Sequence, residues 1–158
     1  MKKLILRFGE LLCVAFLALF IVFVSSDEKK SDAPIDEVFA SVESVCDLDG
    51  LKKSDITGLK KQFSFDTDVI ADFYYYCSDS VMDVRELLII SLEDISVQEV
   101  FEEKLLSYAD EKRQIFESYA PREEEMLSSR VLIAKNGYIL FYVGNETEAV
   151  ASEFTKAI

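Results

Sequence analysis

No histidine occurs anywhere in this 158-residue chain. Its absence removes the commonest general base, the common histidine-containing zinc sites and every triad built on imidazole. Cysteine is scarce: Cys13, Cys46 and Cys77 are the three present. Only the last two would lie outside a membrane, so one Cys46–Cys77 disulfide is the most the chain can form, and their positions match no zinc spacing. Long basic stretches are missing too. Beyond the N-terminus no basic run exceeds a pair, and the net charge is −13, so nucleic acid is not an expected partner. No cofactor or metal motif stands out.

What is present reads as a folded protein with an export segment. Half of the residues are hydrophobic and 12% are aromatic, too apolar for a disordered chain despite the charge. Lys2, Lys3 and Arg7 precede Leu11 to Val24, LLCVAFLALFIVFV, an uncharged run of 14 residues closed by SSDEKKSD. Positive charge ahead of an apolar run keeps the N-terminus in the cytoplasm and sends the rest across. Fourteen helical residues rise about 21 Å, short of the roughly 30 Å hydrocarbon core, which favours a signal-peptide core. Phe20, Ile21 and Phe23 run up to the cleavage position, however, and Leu4, Ile5, Leu6 and Phe8 lengthen the span. Residues 1–26 are therefore a signal-anchor or a signal peptide, and a retained single-pass anchor contacting the membrane through residues 4–24 is the favoured expectation. Secretion after cleavage near Ser26 is the alternative. Cys13 follows Leu11 and Leu12 inside the apolar run, which is not the lipoprotein pattern.

Removing residues 1–26 leaves a segment more acidic still. Residues 27–33 are polar and aperiodic and read as a linker; residues 34–158 have the size of one domain. Asp32 and Pro34 start a helix whose apolar residues Ile35, Val38, Phe39, Val42, Val45 and Cys46 recur at helical spacing until Gly50. FYYYC, residues 73–77, and RELLIISL, residues 85–92, read as an antiparallel pair, with a short helix expected near residues 66–71. Ser96 and Glu99 make a capping box for a long helix through Val97, Val100, Phe101, Leu105, Tyr108, Ile115 and Phe116, stopped by Ala120-Pro121. One more turn is expected over 122–128. Two β-rich runs flank Asn136-Gly137, the preferred type I′ turn pair. Asn145 is expected to cap a terminal helix carrying Val150, Phe154 and Ala157. The fold class is thus α+β in the order αββαββα: a two-layer domain, a four-stranded, mainly antiparallel sheet with helices on one face.

Candidate chemistry is sparse. Asp47-Leu48-Asp49-Gly50 places glycine too early for an EF-hand and is followed by lysines, so a helix-ending turn is expected. Asp66-Thr67-Asp68 is explained by a helix cap. Glu123, Glu124 and Glu125 are consecutive and do not share a helix face. Tyr74, Tyr75 and Tyr76 alternate between two faces of a strand, one of them buried.

Lys112-Arg113-Gln114, Phe116, Tyr119 and Pro121, followed by Gly137-Tyr138 and the apolar strand after them, resemble a family of exported clostridial proteins and lipoproteins known as domain of unknown function 4358. The resemblance implies a bacterial cell-envelope protein outside the membrane and carries no catalytic residue. Read physically, Phe116, Tyr119 and Pro121 form a helix terminus docking on the hairpin, with Arg113 available to a carboxylate. The functional expectation is a membrane-anchored, extracytoplasmic acidic module without enzymatic activity, binding a protein or a wall component. The competing expectation is a carboxylate-dependent envelope hydrolase. Oligomeric state is left open by the sequence.

Overall fold

The computed structural model describes residues 30–158. The expected signal or anchor segment, residues 1–26, lies outside them, as do the first three linker residues. Among the described residues no helix is long and apolar enough to cross a membrane.

The chain runs α1 (Ile35–Glu43), β1 (Lys52–Lys53), α2 (Ile56–Phe63), β2 (Ile70–Cys77), β3 (Glu86–Leu92), α3 (Gln98–Phe116), α4 (Pro121–Ser128), β4 (Val131–Lys135), β5 (Tyr138–Val143) and α5 (Thr147–Ala157), with 3-10 turns at Thr67–Val69 and Ile95–Val97. The α+β class and the antiparallel pairing agree with expectation. The sheet has five strands rather than four, in the order β1-β2-β3-β5-β4, every neighbouring pair antiparallel. The unforeseen strand, β1, is two exposed lysines at one edge. Such a segment carries no period for sequence reading to detect, and short charged edges are a common protection against edge-to-edge pairing.

The helices cover both faces of the sheet, not one. Leu88, Ile90, Ile139, Phe141 and Val143 pack with Leu59 and Phe63 of α2, Phe101, Leu105, Ala109 and Phe116 of α3, and Leu127 of α4. On the opposite face Leu87, Ile89, Leu140 and Tyr142 pack with Ile35, Val38, Phe39 and Val42 of α1 and Val150 and Phe154 of α5. The reason lies in β3 and β5, buried along their whole length. ELLIISL and YILFYV lack the alternation of a half-solvated strand, and a strand apolar on both sides needs cover on both sides.

Several element ends follow side-chain chemistry. Asp55 caps α2 by accepting from the Gly58 N–H at 2.9 Å, and Asp66 accepts from the Asp68 N–H as expected of a cap. β2 begins at Ile70, so the helix expected over 66–71 shrinks to one 3-10 turn. The long helix enters through Asp94, whose carboxylate takes the Ser96 N–H at 2.9 Å, instead of through a Ser96–Glu99 box. Pro121 opens α4 at its first turn, where its missing N–H costs nothing. Residue Glu146, not Asn145, precedes α5; it has φ 55° and offers no side-chain cap. The hairpin turn is as expected: Asn136 and Gly137 both have positive φ, 55° and 79°.

Phe141 is fully buried at the centre of the sheet and in ring contact with Phe63 and Tyr108. Phe141→Ala is expected to lower stability by about 3–5 kcal/mol, measured as a shift in the urea midpoint at unchanged slope.

Candidate functional site

A cleft opens at the end of the sheet where β2 finishes, β3 begins and α3 ends. Its floor is polar within an apolar core. Glu86, the first residue of β3, is 1% exposed. It lies between Cys77 on β2 and Val143 on β5 in the sheet register, on the face that α3 covers. An isolated buried carboxylate is costly, and this one is satisfied from three directions. The Tyr75 hydroxyl donates to Oε1 at 2.5 Å, the Tyr108 hydroxyl approaches Oε2 to 3.0 Å, and Lys112 Nζ stands 3.4 Å from Oε2. Tyr108 and Lys112 are four residues apart on α3 and therefore share the face that meets the sheet. Gln62 Nε2 on α2 donates to the Tyr108 hydroxyl at 2.8 Å, so three helical and strand layers meet at one carboxylate.

Burial, then the Glu86 charge, pushes the Tyr75 phenol well above the ordinary tyrosine range. The Tyr108 phenol is raised for the same two causes. Both hydroxyls therefore stay protonated and keep donating. Cys77, beside Glu86, is also raised by burial, which makes it a poor nucleophile at neutral pH.

The cleft above this floor has a volume of about 440 Å³ and is walled by the β2–β3 loop and the end of α3. Its rim is apolar. Val81, 89% exposed, and Met82 stand on the loop; Ile115, 62% exposed, and Tyr119 stand on the helix side. The hollow continues along the sheet end into two adjoining ones of about 390 and 270 Å³. The first shares Ser80, Met82, Asp83 and Arg85 with the cleft; the second shares Arg122, Met126 and Asn145 with the first. The loop wall is fixed by Arg85, whose Nη2 and Nε hold the Asp83 carboxylate at 2.8 and 3.1 Å while Nη1 donates to the Asp49 carbonyl at 3.1 Å. Hydrogen bonding from Arg85 holds the Asp83 carboxyl below its usual range.

Of the residues singled out from sequence, Tyr75, Cys77, Lys112, Phe116 and Tyr119 line this cleft. Cys46 does not. It is unbonded, as is Cys77, and the two pack into clusters on opposite faces of the sheet, so the fold does not bring them together. Arg113 binds a carboxylate of its own chain, Glu124 Oε1 at 3.1 Å. Phe116 is core and contacts the ring of Tyr119 at 5.4 Å. Pro121 begins α4, Gly137 supplies the turn, and the Tyr138 hydroxyl donates to the Ala33 carbonyl on the far face. Asp47–Gly50 is the expected turn, with the Asp49 N–H on Asp47 Oδ1 at 2.9 Å. Among the described residues no group of three or more cysteines and carboxylates is placed to hold a metal ion. Sequence reading missed Glu86. Its signal was the alternation that sets it on the same side as Leu88, Ile90 and Leu92, a lone charge on an inward face.

The family model for the domain of unknown function DUF4358 matches residues 44–144, well over half of the chain and all five strands. The chain belongs to this family. The DUF4358 match contains the cleft and the helices α2, α3 and α4 that build it, whereas α1 and α5 fall outside it. No curated protein and no solved structure matches the chain.

Two outcomes follow from the Glu86 cluster. Glu86→Ala leaves Lys112 and two phenols without their acceptor and is expected to cost about 3–5 kcal/mol in urea unfolding. Stability is also expected to fall at alkaline pH. The contribution of Tyr75 and Tyr108 is complete below the ordinary tyrosine value of 10.0. Above it the unfolded chain releases phenolic protons that the folded chain retains, so each tyrosine removes about 1.4 kcal/mol per pH unit. Urea midpoints taken between about pH 8 and 11 check this, with a shallower decline in Tyr108→Phe.

Proposed function

We propose that this chain is a membrane-tethered, extracytoplasmic binding module whose cleft receives an apolar group of an envelope protein or wall component. The observation that carries the reading is the grouping of Val81, Met82, Ile115 and Tyr119, four exposed large hydrophobic residues, around one concavity. Apolar residues scattered singly over a surface need no explanation, but a contiguous set at the mouth of a cleft is the ordinary mark of a binding site. The floor adds selectivity. Lys112, partly open to the cleft, offers a cation to a polar group on the occupant, and the Glu86 cluster holds that cation in place. The apolar N-terminal run supports tethering at the membrane face.

A carboxylate-dependent hydrolase fits the same cleft less well. Two free acids are needed for such chemistry, one of them with raised pKa. The cleft's three carboxylates are each held by a cation: Glu86 by Lys112, Asp83 by Arg85 and Asp79 by Lys52. Asp83 is moved toward stronger acidity, the wrong direction for a general acid.

The test is site-directed photocrosslinking of the full chain in its host membrane. A photoreactive residue at Val81 is expected to give a discrete adduct that weakens roughly 10- to 100-fold in Ile115→Asp, the equivalent of about 1.5–3 kcal/mol for one buried apolar side chain. Val100→Asp, a change at another exposed apolar position of the same helix, should leave it intact. Adduct formation at Val81 no greater than at Ile56, which is exposed but away from the cleft, would sink the proposal.

A further inference from the structure

The far edge of the sheet is unprotected in a way that the near edge is not. β1 is two exposed lysines, whereas β4 is Val131-Leu132-Ile133-Ala134-Lys135, five residues with four apolar side chains, paired among the described residues on one side only. The type I′ hairpin fixes which of its backbone groups point outward. Lys135 and Tyr138 close the turn, so Lys135, Ile133 and Val131 exchange hydrogen bonds with β5, and Leu132 and Ala134 direct their N–H and C=O groups away from it. Among the described residues no group outside β5 hydrogen-bonds the backbone of Leu132 or Ala134. Every residue of β4 is at least partly exposed.

We infer that β4 is a homodimerisation edge, pairing antiparallel with β4 of a second copy of this chain about a dyad at Ile133, so that two five-stranded sheets join into one. The occupant follows from the self-complementarity of the segment. A dyad at Ile133 sets Leu132 of one copy opposite Ala134 of the other, and these are the two residues with outward bonding groups, so both donors and both acceptors are satisfied at each pair. Side-chain size matches in the same register: a large leucine faces a small alanine on the α3 side. On the other face Ile133 meets its own copy in the closer, non-hydrogen-bonded pair, where β-branched residues pack well. Charge matches as well. Lys135, the only charged residue of the strand, falls opposite Val131 rather than opposite itself, so the register brings no like charges together.

The dyad stands normal to the sheet. Residues 31–33 of both copies therefore lie on one side of the joined sheet, since Ala33 packs into the α1 and α5 face and the Ser31 N–H donates to the Asn136 carbonyl. That arrangement is compatible with two chains tethered in one membrane. It is independent of what occupies the cleft.

Cysteine trapping in the full chain tests the register itself. In a membrane preparation under mild oxidation, Ile133→Cys is expected to form a disulfide-linked species of doubled mass, because directly opposed residues bring their Cβ atoms about 4.5–5.5 Å apart. Val131→Cys is expected to show at least tenfold less, since its equivalent in the partner lies about 13 Å along the strand. The native cysteines are constant in both variants, and the unsubstituted chain supplies their background. Sedimentation of the detergent-solubilised chain should show a dimer that Ala134→Pro converts to monomer with its far-ultraviolet circular dichroism unchanged. Equal trapping at both positions, or trapping at neither, overturns the proposal. A monomer whose Leu132 and Ala134 amides resist hydrogen exchange also overturns it, by showing that the chain covers its own edge.

Discussion

The structure depends on one buried carboxylate. Glu86 stands at the start of the central strand, with Cys77 and Val143 as its sheet neighbours, and α3 lies over it. A charge in that position is tolerable only if its donors are delivered to it, so Tyr75 from β2, Tyr108 and Lys112 from α3 and, through Tyr108, Gln62 from α2 must be in register together. Apolar packing alone would let a helix slide or rotate on a sheet of leucines and isoleucines. The two directed contacts that α3 makes to one carboxylate, from Tyr108 and Lys112, do not allow it, and they thereby set the height and angle of the end of α3, which is one wall of the cleft.

The other wall is set by a neighbouring cation. Arg85 precedes Glu86 directly, so strand alternation sends its guanidinium to the opposite side of the sheet end, where it ties Asp83 and the Asp49 carbonyl together. Two adjacent residues of opposite charge thus organise two layers: Glu86 the helix above, Arg85 the loops beside. The apolar rim residues are free to be exposed because neither wall relies on them for packing. Separating the residues that hold the cleft open from those exposed at its mouth lets the latter vary without loss of the fold.

Much of this architecture was legible in the sequence, for reasons that can be named. The Asn136-Gly137 hairpin, the long helix ending at Ala120-Pro121 and the two apolar strands each carry strong local chemistry. The covering of both sheet faces was also written there, in the lack of alternation through ELLIISL and YILFYV, but it was read as one-sided. β1 left no trace because two lysines have no period. The Asn145 cap failed because the turn before α5 instead places Glu146 in the left-handed region. The site was legible only in part. Tyr75, Cys77, Lys112, Phe116 and Tyr119 stood out by residue type or motif, while Glu86 was hidden as one letter in a hydrophobic run; its partners lie 11, 22 and 26 residues away, contacts that no short-range pattern reports.

Hydrogen–deuterium exchange in Glu86→Gln addresses the central claim most directly. The substitution keeps size and removes the charge that Lys112 and both phenols address. If Glu86 positions α3, amides in its last turns should exchange faster, while the 78–85 loop, tied by Arg85, and α1 and α5 on the far face keep their protection. Unchanged exchange throughout, or a uniform loss of protection in all five helices, would contradict the account by showing that the carboxylate is a passenger in a core that apolar packing already fixes.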